Sequence, residues 1–324
     1  MNEIQQNTID RMNAMGAEGK PFVFIIDFDF MKPLLFEVDD SSELLWKTPR
    51  TSNHTSGNAP ANKPIVWNIE PVDLDRYQKA FNEVQHHIHN GDTYLLNLTM
   101  PSTVETNLTP EEIYQLSDAP YKIWLKDQFV CFSPEIFVRI NDDIISSFPM
   151  KGTIDANIEN ADQILLNDEK EVAEHHTIVD LIRNDLSIVA SDVWVERFMY
   201  IDRITTNLGD LLQMSSQISG KLPENYERSI GTILSKMLPA GSICGAPKLK
   251  TVEIIRKTEG YQRGYYTGVF GVFDGRNLDS CVLIRYLEQE QEKLTFKSGG
   301  GITFLSDCQT EYNEIIQKIY VPIS

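Results

Sequence analysis

Residues 121–140 read YKIWLKDQFVCFSPEIFVRI, and three short apolar runs in this stretch determine the fold class of the chain. The runs 121–126, 129–133 and 136–140 are rich in β-branched and aromatic residues, which predicts three strands in close order. Strands that follow one another in this way are typical of an antiparallel sheet, and not of a regular alternation of strands and helices.

The same pattern continues outward on both sides of this cluster. Further strands are predicted at 22–28, 34–38, 94–99, 144–148, 193–198, 207–218, 265–273, 280–287 and 293–297. Helices are predicted at 2–15, from Leu74 to Ile88, and at 109–117, 159–185, 224–236 and 308–319, and the clearest loop at 48–63. Because strands come in clusters with helices between the clusters, the predicted class is α+β with largely antiparallel sheets.

Length, composition and charge limit the possible functions. The chain has 324 residues, of which 41% are hydrophobic, and can bury a substantial core. No stretch reads as a long linker, so a single domain over 1–324 is predicted. The formal net charge of −18 argues against nucleic acid or an anionic membrane as the main partner, because both attract basic surfaces.

The cysteines and the N-terminal segment indicate the compartment. Cys131, Cys244, Cys281 and Cys308 lack CxxC spacing, which is typical of reduced thiols in a cytosolic protein. Residues 1–19 lack the apolar core of a signal peptide. No apolar run approaches the ~20 residues that span a bilayer. We therefore expect a soluble cytoplasmic protein.

Two pairs of glutamates are the strongest sign of a site. Glu171 and Glu174 lie three residues apart in the helix predicted within 168–187, and Glu311 and Glu314 repeat this spacing near the C-terminus. Like charges at this spacing destabilise a helix by about 0.2–0.5 kcal/mol, so either solvent screens them or a cation lies between them. Two such pairs suit one oxygen-coordinated divalent ion if the fold brings them together.

Asp168 offers a simpler explanation for one of these glutamates. As the N-cap of the helix, Asp168 would make Glu171 the third-residue partner of a capping box and leave Glu174 to solvent. His175 and His176 follow directly but form no HExxH or Glu-x-x-His motif. We interpret these histidines as packing or hydrogen-bonding residues.

Lys151 and Glu135 are candidates for catalysis, each with an ordinary alternative. Lys151 follows an apolar strand, and burial would lower its pKa and make the amine a nucleophile or base at neutral pH. Glu135 lies between apolar strands, where a raised pKa would suit it to protonate a leaving group. The alternatives are a surface lysine at a strand end and an ordinary turn acid.

Two glycine-rich segments could bind an anion through backbone amides. Gly299, Gly300 and Gly301 lack the spacing of a nucleotide-binding loop, but bare amides there can bind a carboxylate. The alternative is a turn from a strand to a helix. Residues 241–247 are predicted to open a helix, whose unpaired N–H groups either attract an anion or are simply capped.

Six segments, in this order, carry a family resemblance. They are Ser133-Pro134-Glu135, Pro149 to Thr153, Ala173-Glu174-His175 with Val179 to Leu186, Gly241 to Lys248, Arg263 to Gly268, and Gly299 to Ile302 with Glu311, Glu314 and Lys318. The chain resembles the chorismate-utilising enzymes, the family of anthranilate, aminodeoxychorismate, isochorismate and salicylate synthases. The resemblance implies two large, mostly antiparallel β-sheets packed together with helices on the outside. It also implies one chorismate-binding catalytic domain with a shortened N-terminal portion.

The resemblance further implies a set of site residues. It implies Mg²⁺ held through Glu171, Glu174, Glu311 and Glu314 against a carboxylate of chorismate, and Glu135 as the general acid for loss of the 4-hydroxyl group. The implied substrate-binding residues are Arg285, Tyr266, Gly299, Gly300, Gly301, Ser242, Thr153 and Lys318.

Lys151 indicates a branch of the family. A lysine before Gly152 resembles component I of aminodeoxychorismate synthase, whereas alanine is usual there in the other branches. The resemblance implies that this lysine attacks ring C2 as the 4-hydroxyl leaves, and that ammonia then attacks C4 and expels the lysine. The product would be 4-amino-4-deoxychorismate of the folate pathway, with ammonia from a glutamine amidotransferase subunit.

Three positions depart from the family pattern, and alternatives stay open. Gln213 stands where the family has histidine, and Cys244 where threonine is usual. Leu95 stands where the isochorismate branch has a water-activating lysine and where the amino-transferring branch often has glutamine. The alternatives are an anthranilate or isochorismate synthase, and a catalytically weak protein that binds chorismate or a partner.

Overall fold

A computed structural model describes residues 2–39, 42–54, 64–206 and 209–322. The described parts of the chain form two compact units, and each unit is assembled from three separate segments. The first unit is built from Met1–Val38, Glu135–Ala246 and Thr267–Val282, and the second from Asp39–Pro134, Pro247–Tyr266 and Leu283–Ser324. The single catalytic domain expected for 1–324 stays a prediction.

The helices of the described residues include five that begin beside a capping side chain. In chain order they are α1 Glu3–Ala17, α2 Leu74–His89, α3 Pro110–Leu116, α4 Ala161–Leu166, α5 Glu169–Ser187, α6 Ile230–Met237, α7 Lys248–Thr258 and α8 Cys308–Gln317. The side chains of Asn2, Asp73, Thr109, Asp168 and Asp307 each accept a hydrogen bond from a first-turn N–H, in α1, α2, α3, α5 and α8. These caps satisfy N–H groups that have no partner inside the helix.

The strands are numbered in chain order. They are β1 Phe22–Ile26, β2 Leu34–Phe36, β3 Leu44–Lys47, β4 Trp67–Glu70, β5 Leu95–Thr106, β6 Tyr121–Leu125, β7 Phe129–Ser133, β8 Ile136–Asn141, β9 Ile144–Ser147, β10 Met150–Asp155, β11 Ser191–Thr206, β12 Gly209–Lys221, β13 Gly245–Ala246, β14 Val269–Phe273, β15 Leu278–Val282, β16 Tyr286–Glu290 and β17 Lys293–Ile302. The run 121–140, which reads as three strands, forms β6, β7 and most of β8.

The first unit contains a nine-stranded sheet. Its strands lie in the order β10-β12-β9-β8-β15-β14-β1-β2, and β11 pairs with β12. The pairs formed by β1 with β14, β14 with β15 and β8 with β9 are antiparallel. Strands β1 and β14 are buried along their whole length, which explains their continuous apolar sequences.

The second unit is built on its own antiparallel sheet. Within this unit the strand order is β5-β17-β16-β7-β6-β3, and β4 pairs with the far end of β5. Helix α3 packs on one face of this sheet, where Tyr114 and Ile113 join a core with Val130 and Phe132 of β7. Two large antiparallel sheets with helices confirm the predicted α+β class.

The structure corrects the strand predicted at 280–287. Strand β15 ends at Val282 in the sheet of the first unit, and β16 begins at Tyr286 in the sheet of the second. Between them Arg285 has a φ of 52°, a left-handed conformation that no continuous strand adopts. The segment predicted as one strand therefore contains a change from one sheet to the other.

Two glycine-rich segments also differ from expectation. Gly299, Gly300 and Gly301 lie inside β17 and pair with Thr99, Leu98 and Asn97 of β5, so the interpretation as a turn is wrong. Residues 241–247 do not open a helix directly, because a 3₁₀ turn at Gly241–Ile243 and strand β13 come first. Helix α7 begins at Lys248, after Pro247.

Pairing partners lengthened other strands beyond their predicted ends. The strand predicted at 94–99 extends over Leu95–Thr106, since β17 and β4 both pair along it. The strand predicted at 193–198 extends over Ser191–Thr206 because β12 pairs antiparallel along it. Within the predicted loop 48–63, residues 55–63 lie outside the described residues. None of the helices described here is long and apolar enough to cross a membrane.

Candidate active site

Lys151 of β10 binds a carboxylate of helix α5 within the first unit. Its Nζ donates a hydrogen bond of 3.0 Å to Oε2 of Glu174, and the two side chains are 24% and 7% exposed. When an ion pair is this little exposed to solvent, losing one partner leaves the other charge buried without compensation and strongly destabilises the folded protein. Lys151 is therefore not a solvated lysine at a strand end, and its role as a nucleophile stays a prediction.

Gly152 determines how closely β10 approaches helix α5. Its φ is +77°, and a β-bulge separates Lys151 from Thr153 in the pairing of β10 with β12. A methyl group on Gly152 would lie 2.8 Å from Cδ1 of Leu165 and 3.2 Å from Oε2 of Glu171. Only glycine suits both the left-handed backbone and this contact, so the bulge places a carboxylate of α5 directly over the strand.

Glu171 combines a capping contact with a half-buried side chain. Its backbone N–H donates a hydrogen bond of 2.9 Å to Asp168, which confirms Asp168 as the N-cap. Burial, and then the negative charge of Glu174, raise the pKa of the Glu171 carboxyl group. The two carboxylates therefore repel each other at close range, and a cation between them would relieve this repulsion.

Glu135 and Ser242 meet although they are far apart in sequence. The hydroxyl group of Ser242 donates a hydrogen bond to Oε1 of Glu135. Ser242 is held in a 3₁₀ turn next to helix α5, and a methyl group on Gly241 would lie 2.9 Å from Oδ2 of Asp185. Gly241 lets the turn pack on α5. The structure thus brings Ser242, a predicted binding residue, into contact with Glu135, the predicted acid.

The two histidines of α5 behave as the sequence suggests. His175 is fully buried, with Nε2 2.7 Å from the Ser216 hydroxyl group, which accepts a further hydrogen bond of 2.9 Å from the N–H of Met199. Burial lowers the pKa of His175 to about 4, so its ring is neutral at pH 7. His176 packs its ring 5.1 Å from that of Phe198. Hydrogen bonding and packing are thereby confirmed.

The second acidic pair lies beside the glycine strand of the second unit. Glu311 in the first turn of α8 is 1% exposed. A methyl group on Gly300 would lie 3.6 Å from Oε2 of Glu311 and 3.8 Å from Oε1 of Glu314. Lys318 binds Glu314 at 2.6 Å and donates a hydrogen bond of 2.9 Å to the carbonyl oxygen of Gly299. The structure thus brings these five predicted site residues together.

Tyr266 and Arg285 are close enough to affect each other electrostatically. Burial raises the pKa of the Tyr266 hydroxyl group, and the positive charges of Arg263 and Arg285 oppose this rise. The Arg285 guanidinium group lies 5.2 Å from the ring of Tyr320. Because a left-handed conformation at a non-glycine residue is strained, the backbone of Arg285 is held by its surroundings.

The sequence did not lead us to predict a buried ion pair between Arg263 and Glu259. Arg263 donates hydrogen bonds of 2.7 Å and 2.9 Å to the two oxygens of Glu259, and one of 2.6 Å to the carbonyl oxygen of Asn97. Thr99 adds a hydrogen bond of 2.8 Å from its N–H to Glu259. Both charged side chains are 1% exposed. The available signal was the spacing of four residues from Glu259 to Arg263, the residue that opens one of the family segments.

Two predictions about the site remain, the binding residue Thr153 and the shared metal ion. Thr153 is exposed and lies opposite Gln213 of β12, the position where the resemblance expects histidine. Within the described residues, no three His, Cys, Asp or Glu side chains form a group that could hold a metal ion. Each glutamate pair is described within its own unit, and a Mg²⁺ ion shared by both pairs stays a prediction.

Comparison with known proteins identifies the family. A sequence model of the chorismate binding enzymes matches residues 34–324. The chain belongs to this family. The match confirms the resemblance carried by the six segments, and it extends toward the N-terminus beyond the two-thirds of the chain that carries them.

Three relatives of this chorismate binding enzyme represent two kinds of protein. An uncharacterized PabA-like protein of Haemophilus influenzae is 48% identical over 318 residues, which is 98% of this chain and 97% of that protein. Anthranilate synthase component 1 of Acetivibrio thermocellus and aminodeoxychorismate synthase component 1 of Bacillus subtilis are each 31% identical. These two matches cover 91% and 77% of this chain, but only 60% and 55% of those relatives. Equal identities do not discriminate between the two reactions.

A solved structure supports the fold. The menaquinone-specific isochorismate synthase of Escherichia coli matches this chorismate binding enzyme with a TM-score of 0.74 and 16% identity, covering 97% of this chain and 80% of that one. At this identity the likeness concerns the fold alone, and it agrees with the two antiparallel sheets described above.

Proposed function

We propose that this enzyme is the chorismate-aminating component of an aminodeoxychorismate synthase. It converts chorismate and ammonia into 4-amino-4-deoxychorismate and water, and a separate glutamine amidotransferase subunit supplies the ammonia. The observation that carries the proposal is the position of Lys151, an amine held 3.0 Å from Glu174 at the bulged end of β10. A solvated lysine would give no reason to prefer amination over the other reactions of the family.

The proposed reaction divides one displacement into two. The neutral amine of Lys151 forms a bond to ring C2, both ring double bonds shift by one position, and the C4–O bond breaks. Glu135 donates a proton to the departing hydroxyl group, which leaves as water. Ammonia then bonds to C4, both double bonds shift back, and the bond from C2 to Lys151 breaks. Loss of one proton from the added nitrogen returns Glu135 to its acid form, so the sum is an exchange of hydroxyl for amine.

Neighbouring side chains support these two roles. The Glu174 carboxylate accepts a hydrogen bond from Lys151, which holds the amine in one position beside helix α5. The Ser242 hydroxyl group donates to Oε1 of Glu135, which fixes the plane of the carboxyl group. A proton donor needs a fixed direction toward the leaving oxygen, and this contact supplies it.

We include Mg²⁺ in the proposal, with Glu171, Glu174, Glu311 and Glu314 as its ligands. Carboxylate oxygens are the ligands that Mg²⁺ prefers. The raised pKa of Glu171 beside Glu174 fits a place where a cation is favourable. When bound, the ion supplies positive charge opposite a carboxylate of the substrate. Adding a chelator should therefore abolish turnover, and excess Mg²⁺ should restore it.

The decisive experiment identifies the product. The purified enzyme is incubated with chorismate, Mg²⁺ and ammonium, and products are separated by chromatography before and after addition of a lyase that releases 4-aminobenzoate. We expect 4-amino-4-deoxychorismate, and 4-aminobenzoate after the lyase. Anthranilate, isochorismate or unchanged chorismate would contradict the proposal.

Variants of Lys151 test the covalent step separately. Lys151→Arg keeps a cation beside Glu174 but removes the nucleophilic amine, so turnover should fall on the order of a thousandfold or more. Lys126→Arg, an exposed lysine on the β6–β7 turn, is the matched control and should retain full turnover. Full activity of Lys151→Arg would refute the covalent role while leaving the product assay valid.

Anthranilate synthesis is the second candidate. An anthranilate synthase component 1 shares the same 31% identity as the aminodeoxychorismate synthase component 1 and covers more of this chain. That reaction releases pyruvate together with a fluorescent aromatic product. Stoichiometric pyruvate in the same incubation, without added lyase, would favour this candidate.

A further inference from the structure

A cavity lined by positive charge lies in the second unit. Its volume is about 410 Å³, and Lys47, Thr48, Arg50, His54, Gln115 and Lys122 are among its lining residues. The described lining includes three cationic side chains and no aspartate or glutamate. In a chain with a net charge of −18, such a concentration of positive charge needs an explanation. The proposed reaction uses none of these residues.

The loop on one side of this cationic cavity is internally braced. The N–H of Thr48 donates a hydrogen bond of 2.7 Å to the carbonyl oxygen of Thr51, and the Thr48 hydroxyl group accepts hydrogen bonds from the N–H groups of Arg50 and Thr51. Asn53 accepts a hydrogen bond of 2.8 Å from the N–H of Trp46 and donates one of 2.7 Å to the carbonyl oxygen of Leu44. These hydrogen bonds hold the loop in one conformation along one side of the cavity.

Lys122 forms the buried end of the cationic cavity. The residue is 8% exposed, and its Nζ donates hydrogen bonds of 2.8 Å and 2.7 Å to the carbonyl oxygens of Tyr114 and Ser117. Its Nζ also lies 4.8 Å from the centre of the Tyr114 ring. An ammonium group has three N–H donors, and the hydrogen bonds described for Lys122 go to carbonyl oxygens and to no carboxylate.

The other charges in the cationic cavity reinforce this excess. Burial and the charge of Lys47 lower the pKa of Lys122, and the charge of Asp118 opposes this fall. Burial, Lys122 and Lys47 lower the pKa of His54. Asp118 lies 3.8 Å from Lys47, but the side chains of Lys47 and Asp118 are 42% and 72% exposed, and solvated pairs of this kind contribute little. Cations that disfavour one another around one cavity favour the binding of an anion between them.

We propose that the cationic cavity is a binding site for a small multivalent anion carrying phosphate or carboxylate groups. Its volume suits a ligand of metabolite size. Lys122 supplies a fixed charge at the buried end, and Arg50 supplies a planar group that matches the two oxygens of a carboxylate or phosphate. The hydroxyl groups of the braced loop and the amide of Gln115 add neutral hydrogen-bonding partners.

Calorimetric titration of the intact protein tests this site without use of the chorismate reaction. Inorganic phosphate and citrate are titrated separately, in a buffer free of divalent ions and at low ionic strength. Lys122→Met removes the buried charge and keeps the length of the side chain. Lys126→Met, in the adjacent β6–β7 turn, is the matched control because Lys126 is exposed and does not line the cavity.

The proposal expects binding of at least one probe, weakened roughly tenfold or more by Lys122→Met and unchanged by Lys126→Met. Binding of phosphate alone assigns the site to phosphate groups, and binding of citrate alone assigns it to carboxylates. No binding of either probe at millimolar concentration overturns the proposal, and so does equal binding by Lys122→Met.

A second variant covers the case in which Lys122→Met fails to fold. Arg50→Gln changes an exposed residue of the loop and should also weaken binding roughly tenfold. This variant should form product from chorismate at the normal rate, because Arg50 takes no part in the proposed reaction. Unchanged anion affinity in Arg50→Gln would count against the site whatever the outcome of the product assay.

Discussion

Helices α5 and α8 carry the same Glu-x-x-Glu spacing, and the second glutamate of each helix binds a lysine. The two helices nevertheless bury opposite members of the glutamate pair. In α5 the second glutamate, Glu174, is buried, and the first is only half-buried. In α8 the first, Glu311, is 1% exposed, and the side chain of Glu314 is 45% exposed.

The origin of the lysine explains part of this difference. Lys151 comes from strand β10, so its bond to Glu174 joins two elements that pack together. Lys318 lies four residues after Glu314 on the same helix surface, where both side chains keep contact with solvent. Spacing along a helix therefore predicts which charges are neighbours, whereas the element that supplies the partner decides whether the pair is buried.

Replacing Lys151 should have the largest effect on stability. Lys151→Met leaves the buried Glu174 carboxylate without its partner and should lower the free energy of unfolding by about 3 kcal/mol in metal-free buffer. Urea denaturation measures this loss. Adding Glu174→Gln should recover part of it, since the uncompensated charge is then removed. An unchanged urea midpoint would show that the pair contributes nothing.

Magnesium should stabilise the protein through both helices. A ligand that binds only the folded state at a hundred times its dissociation constant adds about 2.7 kcal/mol, which raises the melting temperature. Glu174→Gln and Glu311→Gln, which change the buried member of each pair, should each remove this Mg²⁺-dependent rise. Glu253→Gln, an exposed carboxylate of α7, should retain it. A rise that survives one of the first two substitutions would assign the ion to the other helix alone.

The glycines beside the two pairs should differ in their tolerance of a methyl group. Gly152→Ala places a side chain in a left-handed conformation and 2.8 Å from Leu165, and should cost about 1–2 kcal/mol of unfolding free energy. Gly300→Ala meets only ordinary contacts at 3.6 Å and 3.8 Å and should cost less than about 0.5 kcal/mol. Thermal denaturation of both variants compares them directly, and equal losses would contradict the difference in geometry.

Replacing Lys318 should have the smallest effect. Lys318→Met removes a partly exposed pair between residues on one helix and should lower the free energy of unfolding by less than about 0.5 kcal/mol. The same urea experiment as for Lys151→Met measures it, under the same buffer. A loss as large as that of Lys151→Met would mean that the contact of Lys318 with the Gly299 carbonyl, and not its exposure, determines its contribution.

Most elements of the fold could be predicted because their signals are local. The amphipathic pattern of α2 and the capping side chains of α5 and α8 act within a few residues. The change of sheet at Arg285 could not be predicted, because nothing in the run 280–287 indicates that its two halves pair with different neighbours. The strand conformation of Gly299 to Gly301 was missed for the same reason, since β5 imposes it.

The identity of site residues could be predicted where a sequence motif contains them. Contacts between residues that are distant in sequence could not be predicted, because they depend on the fold. The resemblance supplied Glu135 and Ser242, but only the fold shows that they share a hydrogen bond. The pair of Glu259 with Arg263 was missed because buried ion pairs carry no distinct composition. The cationic cavity was missed because Lys122 and Arg50 are ordinary surface residue types that the fold gathers.

The interleaving of the two units has a consequence for synthesis on the ribosome. Strands β1 and β2 leave the exit tunnel early, but β14, the neighbour that joins them to the rest of their sheet, is made only after α7. The second sheet likewise waits for β16 and β17, which separate β5 from β7. Pairings this distant in sequence form late and leave strand edges exposed until they do. A nascent chain that stops before residue 269 therefore holds two unfinished sheets. The first unit has all of its segments only at Val282, and the second still waits for Leu283–Ser324.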